Sequence, residues 1–304
     1  MALTLEDLRG SVARRRREAS LRLIFAAAAM LSIVISVAII ISLVGEAANF
    51  LFHVDPASLI DRGWFPRRSL FGIPTILAGT FIVAGIGMLV ATPLGLGAAV
   101  YLSEYASPRL RRTVKPILEI LAGIPSVVLG YFALSVLSPS VVDPVCPGQT
   151  NIFNMAAAGI GVGILITPLI ASVAEDALYA VPRSLREASY GLGARKRTTS
   201  LRIVFPAAVS GIVAALLLGI SRGVGETMVV AMAAGASGGS LFQANPCQPG
   251  QTMTAAMTAL ATGSDQTRGL AFPSLFFVGL LLFVMTLALN LVADAFVRRV
   301  RTRY

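Results

Sequence analysis

Apolar positions in this chain form long unbroken blocks, not the alternation of a half-buried strand or the three-and-four spacing of a surface helix. Six stretches carry no charged side chain: 23–45, 69–103, 120–142, 144–174, 227–264 and 269–293. A helix needs about 20 such residues to cross a bilayer, so the pattern predicts a polytopic membrane protein of the all-α class. The stretches do not map one to one onto helices. The fifth is interrupted by Gly238, Gly239, Asn245, Pro246, Pro249 and Gly250, which signal a loop, while the apolar run that opens at Ile203 continues through Arg222 and Glu226. The predicted spans therefore lie near 22–45, 74–103, 116–138, 152–175, 207–235 and 270–294. They make one membrane domain, 23–297, between a basic segment at 1–22 and a basic tail at 298–304.

Composition agrees. Hydrophobic residues make up 56% of the 304, charged residues only 13%, and the mean hydropathy is +0.79, where a soluble domain would carry about a quarter charged residues. The net charge of +10 is informative through its placement. With the amino terminus inside, segments 1–22, 104–116, 175–206 and 298–304 hold 20 of the 25 cations, and the outer loops hold Arg62, Arg67, Arg68 and Arg268. That is the positive-inside pattern, with both termini cytoplasmic, and it argues against nucleic acid as the partner of the basic charge. A cleaved signal peptide is excluded by an apolar run of 23 residues and by Gly45-Glu46-Ala47, a poor cleavage site.

The sequence carries no enzyme signature, and His53 is read as a surface residue of a membrane-edge loop, with a Ser-His-Asp arrangement built on it as the alternative. The longest intervals between predicted spans, 46–73, 176–206 and 236–269, are too short for a separate domain. The two lysines, Lys115 and Lys196, do not follow a glycine, so a phosphate loop is absent, and His53 is remote from both cysteines. The chain is read as carrying no cofactor, no metal site and no catalytic residue. Internal repeats of solenoid period are not visible.

The informative segment is 182–206, PRSLREASYGLGARKRTTSLRIVFP. Ser184 and Glu187 fit an S-x-x-E capping box, Pro182 a helix entrance, and Gly191 and Gly193 a stop. Glu187, Ala188, Ser189, then Gly193, then Ile203 and Pro206 resemble the E-A-A-x-x-x-G-x(9)-I-x-L-P loop of ABC importer permeases, with Ser189 for the second Ala and Phe205 for Leu. The resemblance implies a MetI-like, six-span permease of the type I importers. It also implies a coupling helix that docks on a separate ATPase subunit through Glu187, Ala188, Gly193, Ile203 and Pro206.

Three further tracts resemble phosphate permeases: Thr92-Pro93-Leu94-Gly95 with Tyr101-Leu102-Ser103-Glu104-Tyr105, Ala122-Gly123-Ile124-Pro125-Ser126-Val127-Val128, and Arg222-Gly223-Val224-Gly225-Glu226-Thr227-Met228. Met228-Val229 after Gly225-Glu226-Thr227 is similar to the PstC type of subunit, where the PstA type usually has Ala-Pro. Residues 1–70 have no such match. The family implies a PstA-like sister permease, two PstB-like ATPase subunits that bind ATP and Mg, an external PstS-like phosphate-binding protein, and a bacterial cytoplasmic membrane with its lipids. A permease for sulfate or another oxyanion, a secondary transporter and a structural anchor are the alternatives.

An Arg inside a spanning helix costs about 2.5–3.5 kcal/mol on insertion scales, so Arg222 needs a partner or a wet cavity. Glu226 follows at i+4, on the same face of a continuous helix. One reading makes the pair a neutral tether. The other makes Arg222 a fork for a tetrahedral oxyanion, with Glu226 easing release and Thr227 and Ser126 on the path. Gly85, Gly87, Gly95 and Gly97 are read as close-packing positions, with path lining as the alternative. Cys146 and Cys247 sit in outer loops of similar composition, and oxidising surroundings favour a bridge over two free thiols.

Overall fold

The computed structural model describes residues 12–146, 148, 151–235, 239–263 and 269–300. Residues 1–11 and 301–304 of the two basic termini, and Arg268, therefore lie outside the described residues. Four helices are long and apolar enough to cross a membrane, and two bent pairs bring the count to as many as six. The end of the bundle assigned to the outside by its cations is called the outer end below.

Helix α1 (Val12–His53) runs unbroken for 42 residues, about 63 Å at 1.5 Å per residue and twice the hydrocarbon thickness. Its flank over 16–42 is exposed in this chain, and it enters the core only at Ala47 and Phe50. Segment 46–73, which matched no family tract, folds into a small outer knot. Asp55 caps a 3-10 turn by accepting from the Ala57 N–H at 3.0 Å. Strands β1 (Gly63–Phe65) and β2 (Leu70–Phe71) pair antiparallel, and β3 (Ser240–Leu241) joins the other edge of β1 in the order β2-β1-β3. Trp64 stands opposite Phe71, which meets Phe50 edge-on at 4.9 Å. These rings pack with Ile76, Met253 and Val278, so the sheet fastens the first span to the last.

Helix α2 (Ile73–Val100) ends in a π-helical turn, Tyr101–Tyr105. It lies against α5 (Met155–Tyr179), started by Asn154, whose Oδ1 accepts from the Ala157 N–H at 2.7 Å. The seam is glycine-rich: a Cβ on Gly163 would come 2.8 Å from the Val90 Cβ, and one on Gly95 2.8 Å from the Ile170 Cγ2. Gly87 belongs to the same seam, at 3.3 Å from the Gly159 carbonyl, while no described atom of this chain lies within 4 Å of where a Cβ on Gly85 or Gly97 would stand.

The third and fifth spans are not the continuous helices expected at 116–138 and 207–235. Helix α3 (Pro108–Leu121) meets α4 (Ser126–Phe132) at 84°, across Gly123, Ile124 and Pro125, because Pro125 lacks an N–H and disfavours helix at Ile124. Helix α4 continues as a π helix over Ala133–Val142. After the short helices α6 (Arg183–Gly191), α7 (Lys196–Thr199) and α8 (Phe205–Ala207), the chain turns 71° into α9 (Val209–Val224). That helix stops before Gly225, and α10 (Met228–Ala233) restarts after Thr227. The Glu226 carboxylate explains the break: its Oε1 accepts from the N–H groups of Met228 and Val229 at 3.2 and 3.4 Å, capping the new helix.

Segment 236–269 is not only a loop. Residues 246–252 fold back onto the bundle, with the N–H of Met155 donating to the Gln248 carbonyl and that of Gly250 to the Ala234 carbonyl. They lead into α11 (Met253–Thr262), whose first turn is buried and whose Met253 N–H donates to Thr80 Oγ1 at 3.0 Å. The last span is α12 (Ala271–Val300).

Candidate functional site

The breaks in the third and fifth spans adjoin. A Cβ on Gly130 of α4 would lie 3.1 Å from the Met228 carbonyl and from the Val229 Cα, so α4 and α10 cross with their backbones almost touching. Ser126 opens α4 one turn before Gly130 and is half-buried. Arg222 stands in the last turn of α9 with its side chain exposed. Glu226 is 5% exposed, and its carbonyl accepts from Thr254 Oγ1 of α11 at 2.7 Å. Half-buried Thr227 donates its hydroxyl to the Gly225 carbonyl at 3.3 Å.

Arg222 and Glu226 therefore do not form the pair that an i, i+4 spacing predicts. The spacing holds only on a continuous helix, and this one ends at Val224. The carboxylate is turned to backbone N–H groups, and among the described residues the guanidinium has no ion pair. An exposed fork of donors beside a chain break can bind a tetrahedral anion without first breaking a salt bridge.

At the inner end, α6 projects from the bundle. Glu187, Ala188 and Gly193 are exposed, and Leu192 is 90% exposed. The capping box does not form: the helix starts at Arg183, behind Pro182 as N-cap, two residues earlier than Ser184 and Glu187 require. The stop is as expected. Gly193 has φ +77, its N–H donates to the Tyr190 carbonyl and that of Ala194 to the Ser189 carbonyl, the pair of bonds of a Schellman turn. Ser189 Oγ and Thr199 Oγ1 lie 2.8 Å apart, tying α6 to α7. Ile203 and Pro206 are exposed further along, on either side of buried Val204 and half-buried Phe205.

Four ionic residues at this end escaped the sequence reading as partners. Glu175, fully buried in the last turns of α5, accepts from Arg111 at 2.6 Å and from Lys115 at 2.9 Å; Lys115 also pairs with Asp176. Arg111 stacks over the Tyr179 ring at 3.6 Å. These contacts clamp α3 across the end of α5. The one signal for Glu175 was its position at the end of an apolar stretch, which says nothing of partners 60 and 64 residues away. At the outer end Cys146 and Cys247 are bonded as a disulfide, with their Cα atoms 6.2 Å apart.

Apolar spans, two of them broken, with an exposed cation at one break and a projecting inner helix, give the chain the form of a multi-pass membrane protein. Solved structures share the fold. A bacterial ABC transporter involved in the import of the acidic polysaccharide alginate has a chain 17% identical, covering 94% of this chain and 100% of its own, at a TM-score of 0.60. The MetNI methionine ABC transporter, in inward-facing conformations, has one 23% identical, covering 76% and 95%, at 0.55.

Residues 91–303 match the family described as binding-protein-dependent transport system inner membrane component, and the chain belongs to that family. Its relatives include the probable ABC transporter permease protein YqgH of Bacillus subtilis, 33% identical over 87% of this chain and 86% of that protein. The phosphate transport system permease protein PstC of Haemophilus influenzae is 32% identical over 85% and 86%. That of Mesorhizobium japonicum is 32% identical over 91% and 89%.

Proposed function

We propose that this chain is the PstC-type permease subunit of an ATP-driven importer of inorganic phosphate. The observation that carries the reading is its 32% identity to PstC permeases over 85–91% of its length. The exposed guanidinium of Arg222 at the break of the fifth span gives that identity a chemical counterpart. Phosphate at neutral pH offers the oxygens that a guanidinium fork matches in geometry and charge. Ser126 and Thr227, at the starts of α4 and α10, are the neutral donors on the path.

ATP hydrolysis belongs to two PstB-like subunits that bind ATP and Mg and dock on α6 through Glu187, Ala188 and Gly193, with Ile203 and Pro206 shaping the return to the membrane. A PstA-like sister permease completes the path, and a PstS-like protein delivers phosphate at the outer end. Alternating access follows from moving the inner end of α9 relative to its break at Gly225. The termini lie in the cytoplasm, where the cation count puts them.

Proteoliposomes holding the complete transporter test the reading. ATP-dependent accumulation of labelled phosphate, competed by arsenate and not by sulfate, is the expected result. Uptake of sulfate in preference to phosphate, or uptake without the ATPase subunits, overturns it.

A further inference from the structure

Arg186 lies on the inward flank of α6, and its guanidinium makes four hydrogen bonds with its five N–H donors. Nη1 donates to the Val181 carbonyl at 2.6 Å, and Nη2 donates both to the Leu178 carbonyl at 2.9 Å and to Glu104 Oε1 at 2.8 Å. Nε adds a longer bond to the same carboxylate oxygen at 3.3 Å. Two of these acceptors are carbonyls where α5 ends: that of Leu178 in its last turn, which also accepts from the Val181 N–H at 3.4 Å, and that of Val181 just beyond it, where a cation is favoured. Glu104 sits in the π-helical turn that ends α2, with its side chain 3% exposed. Its other oxygen accepts from Ser200 Oγ at 3.4 Å, at the start of the second π-helical turn, Ser200–Val204, which leads to the fifth span.

One charge pair thus touches the projecting helix and the inner ends of spans two, four and five. Charge-assisted bonds in a site shielded from water are stronger and more directional than neutral ones. A shift of α6 by an ångström cannot be absorbed by a guanidinium already committed to three acceptors. π-helical turns are frequent at functional sites, and two of the three in the described residues meet at Glu104.

We propose that Glu104 and Arg186 are positioning residues, the joint that makes α6 move as one body with the inner ends of spans two, four and five. Without the joint, force applied to α6 would pass only through the Ser189–Thr199 hydroxyl contact and the apolar packing of Leu185, which carry no charge-assisted bond. The inference rests on the importer reading and goes beyond it, because that reading assigns neither residue to ATPase docking or to the anion path.

The test uses the complete transporter in proteoliposomes, with Arg186→Lys and Glu104→Gln. Lysine keeps the charge but cannot hold a carboxylate and two carbonyls in one plane; glutamine keeps the shape but drops the charge. The quantity read is phosphate accumulated per ATP hydrolysed by assembled complex. The expected result is a fall of about tenfold in that ratio while hydrolysis continues, the size that losing one charge-assisted contact gives. A ratio equal to wild type in both variants overturns the joint. If neither variant assembles, Glu104→Asp carries the same measurement with the charge retained, and a wild-type ratio or a failure to assemble there shows a contact needed only for folding and overturns it too. The wild-type control separates the two readings: no ATP-driven phosphate uptake there defeats the importer assignment, whereas undiminished coupling in the variants defeats only the joint.

Discussion

Gly130 lies directly on the backbone of Val229: a Cβ at residue 130 would meet the Val229 Cα at 3.1 Å and the Met232 Cβ at 3.2 Å. Backbone on backbone leaves no flexible side chain to give way. Gly130→Val should therefore lower the stability of the solubilised protein by about 1–3 kcal/mol, the usual cost of overpacking. Gly85→Ala, at a position open to space, should be close to neutral. Thermal unfolding of the two variants side by side checks the contrast, and equal melting temperatures would refute the crossing of α4 and α10.

Arg222 and Glu226 should behave as independent residues. Arg222→Gln should abolish phosphate uptake with normal assembly, and Arg222→Lys should retain part of it, since the charge remains and the fork does not. Glu226→Ala removes the cap of α10 and should cost about 1 kcal/mol of stability, whereas Glu226→Gln keeps an acceptor for the Met228 and Val229 N–H groups and should cost less. Combined replacement of both residues by Met should not restore uptake. Phosphate accumulation by a well-assembled double variant is the outcome that removes Arg222 from the path.

Gly193 sits at φ +77 with no atom within 4 Å of where a Cβ would stand, so the objection to a side chain there is conformational. Gly193→Ala should weaken the end of α6 by about 1 kcal/mol, and Gly193→Pro, whose ring fixes φ near −65°, should unravel it. Glu187→Lys leaves the fold untouched because the residue is exposed. Both Gly193→Pro and Glu187→Lys should hydrolyse ATP without matching uptake, and full uptake at normal expression would count against docking on α6.

The Cys146–Cys247 bond closes a loop of about 100 residues, worth up to about 4.7 kcal/mol in the chain-entropy model and less where the membrane already restrains the unfolded chain. Intact protein should show no thiol reactive toward maleimide until a reductant is added. Labelling of two cysteines in the absence of reductant would contradict the bond. The double replacement by Ala should melt earlier.

The sequence pattern located the spans because long apolar stretches have one physical use, and it located α6 because Pro182 and Gly193 are strong local punctuation. It failed where a local pattern has two outcomes. Gly225-Glu226-Thr227 reads as a tolerable interior of a helix until Glu226 is seen to prefer the N–H groups of Met228 and Val229, a choice fixed by Thr254 gripping its carbonyl from α11. Helix α11 itself was hidden by the Pro and Gly residues before it, although Met253–Thr262 contains neither. Glu104 and Glu175 were visible as charges that end apolar stretches, and Arg186 and Lys115 as cations of basic loops, but their pairing depends on how distant helices end side by side, which no window of sequence contains.

The outer sheet has a consequence for how the protein is made. Trp64 emerges 176 residues before Ser240, its partner across β1 and β3, a delay of about 10 to 35 s at ordinary elongation rates. Over that interval the edge of β1 that β3 later covers is open, and the aromatic rings of the hairpin lack Met253 and Val278. Its closure waits for translation of the fifth span and the loop beyond it. The knot formed by Trp64, Phe71 and Phe50 is thus completed late: only a chain made past residue 240 can bring β3 to β1.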